Sequence, residues 1–102
     1  MEANILVVGR DGAILEVIQR LINGHEGWQA TIAGTEEAAI EAFNKKRYDI
    51  VFVFAGFLAQ EEETIRQKLI TLDPRVVVTR HYGGGSGLLE NEILGILNKE
   101  RQ

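Results

Sequence analysis

Residues 48–57 read YDIVFVFAGF. Within them, Ile50–Phe54 is a short, unbroken apolar run that stops at Ala55-Gly56. A run of this length, rich in β-branched and aromatic residues, is a strand buried on both faces, as in parallel sheets covered by helices above and below. Asn4–Val8 (NILVV) and Arg75–Thr79 (RVVVT) have the same character. Trp28–Ala33 (WQATIA) alternates, with β-branched Thr31 and Ile32. The opening stretch, Asp49–Phe54, is thus the third strand of a series.

Helical patterns separate these strands. Ala13–Ile22 places Ile14, Val17, Ile18, Leu21 and Ile22 on one stripe, with Asp11 as N-cap and Asn23-Gly24 as the stop. Thr35 caps a second helix that runs through Lys46, and Ala39, Ile40, Ala42 and Phe43 form its buried side. Glu36 and Glu37 at its start, and Lys45, Lys46 and Arg47 at its end, match the helix dipole. A third helix spans about Gln60 to Leu72, and Asp73-Pro74 ends it because the residue before proline avoids the helical region. A last helix, Leu88–Lys99, carries Leu89, Ile93, Ile96 and Leu97 on one stripe. The order is βαβαβαβ, then GGGSG at 83–87, then α. Such alternation predicts a three-layer α/β/α domain over residues 1–102, with a parallel sheet built by right-handed crossovers.

Composition narrows the function classes. The chain has 102 residues, room for one core, and is 45% hydrophobic and 25% charged. A net charge of −4 argues against a nucleic-acid backbone as partner, since that needs a basic face. With no cysteine, disulfides, thiol catalysis and cysteine-ligated metals are excluded. The two histidines, His25 and His81, do not make a metal site by themselves. No apolar run approaches the ~20 residues of a membrane span, and the N-terminus lacks the parts of a signal peptide. The expectation is a cytoplasmic protein with no cofactor.

ILVVGRDGAILEVIQRLI (5–22), GWQATIAGTEEAAIEAFNKKRYDIVFVF (27–54) and DPRVVVT (73–79) together resemble the receiver domain of two-component response regulators, the CheY-like fold. The resemblance implies a flavodoxin-like sheet of order 2-1-3-4. It also implies departures from the family. Receivers hold Mg²⁺ with paired acids after the first strand, and those positions match Gly9 and Arg10 here. Their phosphate-accepting aspartate matches Phe54. Thr79 matches the hydroxyl residue that senses the phosphoryl group, and it is the signature position retained. The fourth helix and fifth strand of the family have no counterpart between Tyr82 and Leu88. Mg²⁺ needs oxygen ligands, and Arg10 opposes it; a phenyl ring cannot become an acyl phosphate. The resemblance thus implies a shortened pseudo-receiver that works through a protein partner in a signalling pathway, and not an enzyme.

Two surfaces follow. Without a fifth strand, Arg75–Thr79 becomes an edge, and Val76, Val77, Val78 and Tyr82 are candidates for a homodimer interface. The competing reading is an edge capped by the glycine loop or the last helix. Arg10, Thr79, Arg80 and His81 should gather at the carboxyl ends of the strands beside Gly83, Gly84 and Gly85. Such glycine-rich backbone before a helix can cradle a phosphate-containing ligand or nucleotide. The plainer reading is a turn with solvated arginines, in which the glycines let the chain double back over the sheet. His25 reads as loop filler, Trp28 as the edge of the core, and Glu61–Glu63 as a helix start.

Overall fold

The computed structural model describes residues 2–54, 56–80 and 86–100. Four strands, β1 (Ala3–Val8), β2 (Trp28–Ala33), β3 (Ile50–Val53) and β4 (Val77–Arg80), form one parallel sheet of order β2-β1-β3-β4. The helices are α1 (Gly12–Asn23), α2 (Glu36–Lys45), α3 (Ala59–Leu72) and α4 (Ser86–Glu100). Pairings such as Ile5 with Ile50 and Val7 with Phe52 keep the central strands in register. Every residue of β3 is buried, as its uninterrupted apolar run requires.

Each sheet face has its own core. Ile5, Val7, Ile50 and Phe52 pack under α1 and α4, which contribute Leu15, Ile22, Leu89, Ile93 and Leu97. Leu6, Val8, Val51 and Val53 pack on the other side, under Phe43 of α2 and Ile65 and Leu69 of α3. The last helix therefore shares a face with the first, as the missing crossover demands.

Caps fall where the sequence places them. The Asp11 side chain accepts from the amides of Ala13 and Ile14, and Thr35 Oγ1 accepts from Ala38. Helix α3 lacks a polar N-cap, because Leu58 stands there; instead Glu61 reaches back to accept from the Leu58 amide at 2.9 Å.

Three expectations need correction. The α1 stripe is not buried as a unit: Leu15, Ile18 and Ile22 face the sheet, whereas Ile14, Val17 and Leu21 are exposed. The sequence holds two adjacent apolar stripes, and only one can meet the sheet. β4 begins two residues later than Arg75. Asp73 holds that approach in a turn, its Oδ1 accepting from Arg75 N and its carbonyl from Val76 N. Ser86 and Gly87 belong to α4 and not to a turn. His81, Tyr82 and Gly83–Gly85 lie outside the described residues, as does any contact they make.

Candidate functional site: the carboxyl end of the sheet

The first element of the site is the pair of strand ends at Gly9-Arg10 and Phe54. The Phe54 amide donates to the Val8 carbonyl at 2.8 Å, extending the β1–β3 ladder by one rung. Its side chain is buried in the core under α1 and α4. Gly9 is closely packed beside it: a Cβ there would sit 3.0 Å from Leu15 Cδ2 and 3.2 Å from Phe54 Cβ, so those side chains would have to give by a few tenths of an ångström. The tip of the central strands is filled with carbon.

Arg10 closes the other side. Its Nη2 donates to Glu61 Oε2 at 2.7 Å, and its guanidinium carbon lies 4.7 Å from the centroid of the Phe57 ring. Gly56 makes room for it. At φ +113° its backbone is in a region L side chains rarely adopt, and a Cβ would come within 2.8 Å of Arg10 Cβ and Cγ. Glu61 therefore does two jobs with its two oxygens: one caps α3, the other holds Arg10.

The neighbouring carboxylate repeats the pattern. Arg80 Nη1 lies 3.6 Å from Glu62 Oε1. The acidic first turn of α3 thus takes an arginine from the end of β4 as well as from the end of β1. The two arginines expected to hold an anion arrive with their charge already matched by acids. Thr79 faces the other layer, lining a groove of about 350 Å³ with Arg80 and with Asn91, Glu92 and Ile96 of α4.

The outer edge of β4 is also occupied. Val77 N donates to Asp49 O, so in a parallel ladder Val78 turns its carbonyl away from β3. Arg66 Nη1 of α3 donates to that carbonyl at 2.6 Å. Val76 and Val78 are buried beneath α3, and Val77 is half-buried. Tyr82, the fourth candidate for this surface, is outside the described residues.

The residues at the tip do not fit a divalent cation. Gly9 and Phe54 offer no side-chain oxygen, Arg10 brings a fixed positive charge, and Asp11 is engaged by the α1 amides. No group of three or more acidic or histidine side chains that could hold a metal forms among the described residues.

No family model and no curated protein matches this sequence. Solved structures do. A CheY-like response regulator receiver domain protein from Methanospirillum hungatei JF-1 superposes with a TM-score of 0.78 at 16% identity, covering 99% of this chain and 98% of that one. A receiver domain protein from Clostridium thermocellum gives 0.79 at 15% identity, with 97% of each chain covered. A CheY-like receiver domain from Methylobacillus flagellatus gives 0.75 at 16% identity, over 94% of this chain and 99% of that one. The fold is that of a CheY-like receiver domain.

At the carboxyl end of the sheet this chain carries a buried phenyl ring after β3 and an acid-paired arginine after β1. Sequence reasoning located Gly9, Arg10 and Phe54 there. It missed Phe57 and Glu61, which complete the cluster, the room that Gly56 leaves for Arg10, and Arg66 at the β4 edge. The signal for Glu61 was present in its N3 position on a helix that lacks a polar N-cap. Nothing local signals Arg66, since its acceptor belongs to another element. His25 is more than filler: its ring lies against Trp28, tilted by 32° with centroids 4.3 Å apart, and its Nε2 is 3.5 Å from Glu90 of α4. No helix among the described residues is long and apolar enough to cross a membrane.

Proposed function

We propose that this chain is a receiver-like signalling domain that does not accept phosphate and acts in the cytoplasm through contact with protein partners, including a second copy of itself. The observation that carries the reading is the filled tip. Phe54 is buried at the end of β3, and Arg10 is bound to Glu61 where a metal-binding acid would be needed. A site built this way has no carboxylate nucleophile at β3 and no ligand set for the Mg²⁺ that phosphoryl transfer requires. The receiver fold then contributes surfaces and not a reaction.

The experiment is incubation with a small phosphodonor and Mg²⁺, followed by intact mass measurement. No added mass is the expected result. A gain of one phosphoryl group would sink the reading. Self-association is the second part, with the β4 edge at Val76–Val78 as one route, although there Arg66 must first release the Val78 carbonyl.

A further inference from the structure

Helix α1 has two apolar stripes and uses one. Leu15, Ile18 and Ile22 pack on the sheet. Ile14, Val17 and Leu21, spaced i, i+3 and i+7, lie roughly a quarter turn further round and are 51%, 50% and 39% exposed. Single exposed aliphatics are ordinary, but three in line over two turns form a patch. The stripe lies on the flank nearer α4. The opposite flank is taken by Gln19 and Asn23, which hydrogen-bond the backbone of Ala30 in β2. Leu21 shares a cleft of about 110 Å³ with Leu89, Glu90 and Ile93 of α4.

We propose that this stripe is the surface through which two copies of the chain pair, α1 against α1 in antiparallel fashion. The proposal rests on the self-association part of the function proposed above and gives it a location. Two features favour a second copy as the occupant. The first is charge. The chain carries −4 overall, so copies repel on average, yet α1 itself holds one acid, Glu16, and one arginine, Arg20, and is neutral, with Glu90 of α4 the acid at the cleft beside it. The second is symmetry. Ile14 and Leu21 flank Val17 almost evenly, so a two-fold axis near Val17 sets Ile14 of one copy against Leu21 of the other. That contact falls at the mouth of the α1–α4 cleft, where an aliphatic side chain has a concave apolar surface to fill. The β4 edge is less open to a copy because Arg66 holds the Val78 carbonyl.

Sedimentation equilibrium over a concentration series tests this directly. The wild type is expected to show a monomer–dimer equilibrium, which Val17→Asp weakens on the order of tenfold or more. Far-UV circular dichroism should be unchanged in that variant, because Val17 is half-exposed. The chain has no cysteine, so Val17→Cys gives an independent reading. A short bis-maleimide should link that variant to itself, while Glu16→Cys, exposed on the far side of α1, should stay unlinked. A wild type that remains monomeric throughout overturns both the proposal and self-association. A wild-type dimer that is unaffected by Val17→Asp and does not link through Val17→Cys overturns the proposal alone, leaving self-association to another surface.

Discussion

Phe54 and Gly56 set the character of the sheet tip by opposite means, one by filling space and one by leaving it. Phe54 is 8% exposed among apolar neighbours, so Phe54→Asp would lose the packing of the ring and strand a carboxylate in the core. We expect a loss of about 3 kcal/mol or more in urea unfolding. A stability within error of wild type would show that the tip is open to water after all. Gly56→Ala meets both a positive φ and the Arg10 stem, and should cost on the order of 1–3 kcal/mol. Replacing Arg10 with glycine removes the clash and leaves the φ penalty. The double variant should therefore be less damaged than the sum of the two, with a coupling of about 1 kcal/mol. Arg10→Ala alone should cost about 1 kcal/mol or less, since both Arg10 and Glu61 are partly exposed. At this scale the sequence was legible for identities and not for contacts. Phe54 and Arg10 could be matched to a receiver's strand ends, but Glu61, 51 positions from Arg10, could be read only as a favourable charge on its own helix.

Elements show the same division. Continuous apolar runs revealed β1 and β3, because burial on both faces leaves no room for polar residues. The α1 stripe was misjudged because a helix rich in aliphatics on two adjacent flanks does not say which flank meets the sheet; Gln19 and Asn23 decide that by bonding to β2. The start of β4 was set too early because the Asp73 turn competes for Arg75 and Val76. Edge protection was invisible for a different reason: it joins α3 to β4 through a side chain whose spacing says nothing about its acceptor. Arg66→Ala should release the Val78 carbonyl, lower stability by about 1 kcal/mol and speed amide exchange in β4. Unchanged exchange there would mean the edge is protected by something other than Arg66. Aggregation on storage is expected to rise in the same variant, since an uncovered edge can recruit another strand.

For the whole molecule, topology was the most legible feature and the surfaces the least. Alternating elements with short connections permit few arrangements, and the observed order β2-β1-β3-β4 follows from right-handed crossovers. The placement of α4 beside α1 follows from the bare sheet face it must cover. Phe52 at the centre of that face is fully buried, so Phe52→Ala should cost about 3–5 kcal/mol by denaturant titration. A small loss there would contradict the two-core description. Because no cation-binding set forms at the tip among the described residues, thermal melting should be the same in Mg²⁺ as in a chelator; a rise with Mg²⁺ would contradict that reading.

The Arg10–Glu61 contact also bears on the order in which the chain assembles. Its partners are separated by 51 positions, and it can form only after β1 and β3 have aligned and α3 has docked. Such a bond is expected to close late, past the folding barrier, contributing to holding the structure and not to reaching it. Loss of Arg10 should then leave the refolding rate nearly unchanged and accelerate unfolding, a φ-value near zero at the end of β1. The arginine at the tip would act as a latch on the finished fold, lengthening the life of the native state by up to about fivefold.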